Sequence, residues 1–438
     1  MTTATLSEEK SKWNIRNEVI TLLNRYWKNN ENDIARLAIV DTAIFPDTLP
    51  PQLTFIDLPE WAYDCGVKGQ ILVPKEWENT WDKVPWLHVV NWMVHAYPER
   101  SWEKRFGCID SYSVRLKNWD DRLWQHAWVN RIALFLRRWA SYTQKTNEAT
   151  LFGSLPKPEL ILTHDVDAIK KTVAIRFKQS IFNGFNAVRL TRKGRFGEAW
   201  GKLVNAFRFL ISNDNYMNIP HLLQLETAYN VRSIFHFYAG KTGLKRSLGE
   251  QLIDPGYKLT DKKLHNVFAD LIQGGWEIGL HPSAFTWDKP EDFYFQKENL
   301  EKNLGLPVTK LRQHWLRFSW EKTWGAQQRA GFTSDSTLGF NDRSGFRNSA
   351  ALRMPVKGIS GVNFESVPMF LMDSHLYDYT MVKPTERIQL MKHWLKELHD
   401  VSGVGSVIWH THVLGKDYRW ADGYEALLKY WMELNRHE

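Results

Sequence analysis

The chain has 438 residues, 43% of them hydrophobic and 24% charged, a balance that suits a globular protein with room for two domains and excludes a disordered chain. No run approaches the roughly 18 apolar residues of a membrane span, and the start MTTATLSEEKSKWNIR lacks the apolar core of a signal peptide, so a cytoplasmic protein is expected. Only two cysteines occur, Cys65 and Cys108, too few for a disulfide framework and without zinc-type spacing. The net charge of +8 is concentrated: ten Lys or Arg stand against one acid, Glu198, between Ala168 and Ser212, and the rest of the chain is close to neutral.

Residues 1–152 read as a smaller α+β accessory domain, with apolar residues at helical spacing in HAWVNRIALFLRRWASYTQK, 126–145. GSLPKPE, 153–159, is the one obvious linker and sets the boundary with a second domain, 153–438. That domain opens on the apolar run ELILTH, 159–164, followed by the basic stretch, part of an insertion at about 168–228. Val173, Ile175, Phe177, Ile181, Phe182, Phe185, Val188 and Leu190 are threaded among the cations of 168–212. A helix lying on an anionic membrane surface needs that mixture; a solvated helical insertion with its apolar side on the core is the competing reading. No nucleic-acid motif accompanies the charge, and no nucleic-acid partner is expected.

Six further apolar runs follow, at 232–238, 276–281, 309–314, 331–335, 365–369 and 405–410. Helical patterns fall at 261–273, 290–303, 320–330 and 384–399, with a last helix near 421–435. Strands alternating with helices imply βα units around a parallel sheet, and seven of them suggest an α/β barrel. The 22 tryptophans suit either a packed core or platforms for the apolar faces of sugar rings.

Polar residues collect at the C-terminal ends of these runs: His164, Asp165 and Asp167 after the first, His281 after the third, His314 after the fourth, Asp335 after the fifth, and His410 with His412 after the seventh. Barrel enzymes draw their catalytic groups from that face. Two carboxylates and several imidazoles suit a divalent metal held by mixed N and O ligands with a position left for water. An unligated carboxylate can then take a proton and a histidine return one, which is the equipment of amide or ester hydrolysis. No G-x-S-x-G elbow appears and neither cysteine lies in the second domain, which disfavours a Ser or Cys nucleophile.

In order, THDVD, EIGLHPS, LRQHWLR, GFTSDSTLGFNDRSGFR and VIWHTH resemble the motif series of the polysaccharide deacetylases, carbohydrate esterase family 4, and within it a branch with an extra N-terminal domain often associated with surface-polysaccharide genes. The resemblance covers roughly 155–438, and residues 40–145 resemble that branch's N-terminal domain. It implies a distorted (β/α)7 barrel, Zn²⁺ or a similar divalent metal, and removal of acetyl groups from N-acetylated sugars. It assigns Asp165 as general base, Asp167 and His281 as metal ligands, Arg312 to orient the base, Asp335 to tune the acid and His410 as general acid. The family's second motif carries two histidines four apart, whereas position 285 here is Phe285. His314, where the family has a proline, is the candidate replacement, giving the ligand set Asp167, His281 and His314.

Arg347, Trp315 and His412 are candidate substrate contacts, with a structural ion pair as the alternative for Arg347. The expected substrate is a polysaccharide or lipid-linked N-acetylated glycan handled at the inner face of the membrane, with the basic segment making a peripheral contact. Two rivals stand beside this reading: an amidohydrolase of small ureido or cyclic amides on the same barrel, and a glycan-binding protein that has lost turnover.

Overall fold

The computed structural model describes residues 15–28, 30–37, 40, 44–243, 246–356, 363–379 and 382–436. Near the N-terminus β1 (Leu53–Asp57) pairs antiparallel with β2 (Gln70–Pro74). The longest helices that follow before the second part are α1 (Trp86–Val94), α2 (Tyr97–Phe106) and α3 (Trp128–Thr143). The apolar residues of α3 recur at helical spacing, and its inner face, including Ile132, Phe135, Leu136 and Trp139, is buried.

The second part is built on a nine-stranded sheet. Its strands are β3 (Glu159–Val166), β4 (Ile234–Phe237), β5 (Glu277–Leu280), β6 (Lys310–Leu311), β7 (Ser334–Asp335), β8 (Met354–Pro355), β9 (Glu365–Ser366), β10 (Met369–Met372) and β11 (Val404–Ile408). Their order is β10-β11-β3-β4-β5-β6-β7-β9-β8, parallel throughout except for the antiparallel β8–β9 pair at one edge. All seven expected runs contain a strand. The sheet curls like a barrel, but among the described residues β8 and β10 end it without pairing to each other. Helices α6 (Ile219–Ala228), α7 (Lys262–Gln273), α8 (Pro290–Leu304), α9 (Thr323–Arg329), α10 (Arg387–Asp400) and α11 (Ala421–Leu434) fall between or after the strands. They bury residues such as Leu271, Leu300, Leu395 and Leu427.

The basic segment folds into two packed helices, α4 (Val173–Arg192) and α5 (Phe196–Ile211). Thr172 caps α4 by accepting a hydrogen bond from the Ile175 amide. Among the described residues no helix is long and apolar enough to cross a membrane. A single hydrophobic cluster runs from Leu23 and Trp27 through α3 into the barrel, so the chain on either side of 153–159 shares one continuous core.

Candidate active site

Strand β3 alternates its side chains between the two faces of the sheet, and this separates the three polar residues at its end. Thr163 and Asp165 point inward with Asp167 following, whereas His164 points outward to Trp409 O (2.6 Å) and the Glu226 carboxylate (2.8 Å). His164 is therefore part of a buried support, with Tyr424 and Trp276 also on Glu226, and does not enter the site.

Asp167, His281 and His314 converge: one donor atom from each lies within 4.8 Å of the others. Asp167 Oδ1 is 3.3 Å from His281 Nε2 and 3.7 Å from His314 Nε2. His281 leaves the end of β5, and its Nδ1 donates to the Arg312 carbonyl at 2.7 Å. His314 stands in a short turn after β6, and its Nδ1 meets Asp254 Oδ1 at 3.1 Å. Asp254 is itself fixed by Ser283 Oγ at 2.5 Å and the Ala284 amide at 2.9 Å. Each imidazole thus spends Nδ1 on a neighbour and leaves Nε2 facing Asp167, the arrangement from which a histidine can bind a metal. Asp167 Oδ1 is buried and accepts no hydrogen bond, which is the state of an oxygen that a cation would satisfy. Two imidazole nitrogens and a carboxylate fit a divalent ion such as Zn²⁺. Phe285 does not line this cavity; its ring lies under Arg317, 5.9 Å from the guanidinium.

Asp165 sits beside the cluster. Arg312 Nη1 is 3.3 Å from its Oδ1, His236 Nδ1 is also 3.3 Å away, and His281 Nε2 is 4.0 Å from Oδ2. Burial pushes this carboxyl up, but His281, Arg312 and His236 together hold it well below the usual carboxylate range. His236, on β4 in register with Asp165, is itself pushed down to about 4 by burial and is neutral. Gly279 lies beside it on β5, where an added Cβ would come within 2.5 Å of the His236 ring. Arg312 is fully buried and reaches three other strands: Nε donates to Ser336 O past β7 (3.0 Å), Nη1 also binds Thr163 Oγ1 on β3, and Nη2 binds Ser406 Oγ on β11 (3.2 Å).

His410 follows β11 on the opposite side of Asp167, with Nε2 3.6 Å from Asp167 Oδ2. Its Nδ1 is held by Asp373 at 2.9 Å, and Asp373 also accepts its backbone amide at 2.6 Å. Burial would lower the His410 pKa, but the Asp373 carboxylate outweighs it and, with Asp167, raises it to about 10.

Asp335 does not join this group. It is buried at the end of β7, accepting from Trp324 Nε1 (3.1 Å), Gln327 Nε2 (3.3 Å) and Thr337 Oγ1, with its pKa raised to about 6 by burial. Strands β3 to β6 lie between β7 and β11, whereas β10, which Asp373 directly follows, is the direct neighbour of β11. The expected pairing of Asp335 with His410 is therefore replaced by Asp373. Arg347 is likewise not a substrate contact: it is fully buried, with Nε 3.0 Å from Glu99 Oε1 on α2 and Nη1 2.6 Å from Ser111 Oγ. Both remaining expected contacts line the cavity. Trp315 has a left-handed backbone, φ 56°, and Lys178 Nζ lies 4.7 Å from its ring. His412 stacks near His410, Tyr216 and Tyr418, and burial pushes it down to about 4.

The cavity around these groups measures about 670 Å³, within the range of about 300–1,000 Å³ of small-molecule sites. Its wall includes Asp165, Asp167, His281, His314 and His410, together with Trp315 and Trp420. His236, Asp254 and Asp373 were not apparent from sequence. His236 lies within the apolar run RSIFHFY, Asp254 in the turn-like IDPGY, and Asp373 just after a strand hidden behind ESVPM.

No protein-family model matches the chain, and no curated protein matches it. Among solved structures it is similar to a protein of Mycobacterium smegmatis assigned as a polysaccharide deacetylase, at 16% identity and TM-score 0.38 over 64% of this chain and 86% of that one. It is also similar to Puue allantoinase, at 11% identity and TM-score 0.38 over 66% and 90%. A third is a CE4-family pseudoenzyme of Bacillus anthracis, at 9% identity and TM-score 0.30 over 64% and 62%. Polysaccharide deacetylase and CE4 structures, the family whose motif series the sequence resembles, thus stand among its neighbours.

Proposed function

We propose that the chain is a metal-dependent hydrolase that removes acetyl groups from the N-acetylated sugars of a polysaccharide or lipid-linked glycan. The observation that carries this reading is the cluster of Asp167, His281 and His314, flanked by the unligated Asp165 on one side and His410 on the other. A divalent ion held by those three residues would polarise the acetyl carbonyl and acidify a water. Asp165, ionised and oriented by Arg312, is placed to take the proton of the attacking water. Asp373 fixes the ring of His410 and keeps it charged, so that Nε2 can return a proton to the departing amine nitrogen. Trp315 and Trp420 give the cavity aromatic faces suited to the C–H faces of a sugar ring.

Metal analysis combined with acetate release from N-acetylated oligosaccharides tests this. The wild-type chain is expected to bind one ion and release acetate. His314→Ala is expected to lose the ion, and Asp165→Asn to keep it while turnover falls by about 10²–10⁴. Equal, substoichiometric metal in wild type and His314→Ala, or no acetate from any of the substrates, would overturn the reading.

A further inference from the structure

The outer surface of α4 and α5 is unlike the rest of the molecule. On α4, Val173, Phe177, Ile181, Phe185 and Val188 recur every three or four residues and face solvent. On α5, Phe196, Trp200, Leu203, Val204, Phe207, Leu210 and Ile211 form a second stripe. These twelve side chains are 38% to 72% exposed. The five aromatic ones alone leave on the order of 500 Å² of apolar surface open, near the upper end of the largest patch on an ordinary monomer. The opposite side of α4 is committed elsewhere, since Ile175, Lys178 and Phe182 line the cavity.

The charges of this segment divide in a way the sequence did not show. Lys171 is held by Asp417 at 2.6 Å, Arg176 by the Ser212 carbonyl at 2.5 Å, Lys202 by Asp378 at 3.0 Å and Arg208 by the Asp417 carbonyl at 2.5 Å. The one acid of the two helices, Glu198, is taken by Arg195 at 2.6 Å. Lys178 turns to the cavity and the Trp315 ring, and the other cations left exposed are at the two ends: Lys170 before α4, and Arg192 and Lys193 at the turn between the helices. A second copy laid on this surface, parallel or antiparallel, would set those ends cation against cation with no free acid of the two helices to pair them. An anionic lipid surface complements both ends and accepts the apolar stripes at its headgroup boundary, where Trp and Phe are favoured.

We propose that the α4–α5 hairpin docks the chain on an anionic bilayer, its two apolar stripes in the interface and Lys170, Arg192 and Lys193 among the headgroups. The cavity, walled by the inner side of α4, then lies about one helix diameter, roughly 10–12 Å, from the lipid surface. Resting on the hydrolase reading above, this assigns the substrate to glycans carried on a membrane lipid.

Flotation of the full chain with vesicles of phosphatidylglycerol and phosphatidylcholine, against phosphatidylcholine alone, tests the docking. Wild type is expected to float with anionic vesicles at low salt and to bind neutral ones at least tenfold less. The triple variant Phe177→Glu/Trp200→Glu/Phe207→Glu changes only solvent-facing side chains. It is expected to lose at least tenfold in vesicle binding while keeping its circular dichroism and its acetate release from a water-soluble substrate. Arg192→Glu/Lys193→Glu is expected to weaken binding to anionic vesicles alone. Docking is overturned if wild type does not float at low salt, if the triple variant floats equally well, or if wild type dimerises without lipid and the triple variant does not. If wild type floats but releases no acetate, docking stands and the hydrolase reading, with its substrate class, falls.

Discussion

Asp373 is the residue on which the acid side of the site turns. It holds both the ring and the backbone amide of His410, so Asp373→Asn is expected to lower kcat by about 10²-fold or more with little change in metal content. Asp335→Asn, which touches neither His410 nor the metal cluster, is expected to act mainly on stability; comparing kcat with thermal midpoint for the two variants separates these roles. On the metal side, Asp254→Asn is expected to weaken metal affinity by about 10–100-fold, because it orients the His314 ring, and titration with a chelator measures this. Asp165, Asp167, His281 and His314 were legible because each stands at the end of an apolar run, where a polar residue has no packing reason to be. Asp373 and Asp254 were not, because their partners are 29 to 60 residues away in sequence and the contact exists only once β10 lies beside β11 and the Asp254 turn lies against His281–Ala284.

At the scale of elements, the cluster is built by strands of very different lengths. β3 pairs along five residues with β11, whereas β6 and β7 are two residues each. The long runs could be read from their apolar continuity, and β8 and β10 could not, being a two-residue edge strand and a four-residue strand placed directly after another. The insertion shows a different kind of ambiguity. Its composition allowed either a core-facing or an outward apolar side, and the helices use both: Phe182 and Leu190 inward or toward the cavity, Phe177 and Ile181 outward. One close contact between strands is testable. Gly279→Ala would push a methyl into the His236 ring, at a cost of about 1–3 kcal/mol. Adding His236→Ala should recover part of that loss, a non-additivity that a double-mutant cycle from denaturant unfolding detects.

Across the whole molecule, the N-terminal part is fastened to the barrel by buried polar contacts. Glu397 on α10 accepts from Arg131 Nη2 (2.6 Å) and Nε (2.9 Å), from the Ala127 amide (3.1 Å), and meets His126 Nδ1 at 3.0 Å. Tyr26 Oη donates to Val401 O at 2.7 Å, and Asn130 brackets Ala351 on both its carbonyl and its amide. Burial pushes Glu397 up, but His126 and Arg131 outweigh it and bring it to about 2, below its ordinary 4.5. Its contribution is therefore present above pH about 4.5 and is lost as the pH falls toward about 2, with a size on the order of 3 kcal/mol. Glu397→Gln is expected to destabilise the chain clearly at pH 7 and much less at pH 3, as read by denaturant unfolding at the two pH values. The prolines of 153–159 suggested a boundary between two domains, but the core shared across that segment left no trace in the sequence, because burial between distant segments leaves no local periodicity.

Arg312 joins β3, β7 and β11 from its own place after β6, so the group beside Asp165 is also a crossbar of the curled sheet. A form of this fold without turnover would still be obliged to keep it, since losing it would strand buried acceptors on three strands at once. Retention of this arginine, and of the Asp165 carboxylate paired with it, would therefore record the survival of the fold, whereas His410 and its partner Asp373 could drift together. In a set of related chains, loss of the His410–Asp373 pair with Arg312 kept is the change that would separate a binding protein from an enzyme on this fold.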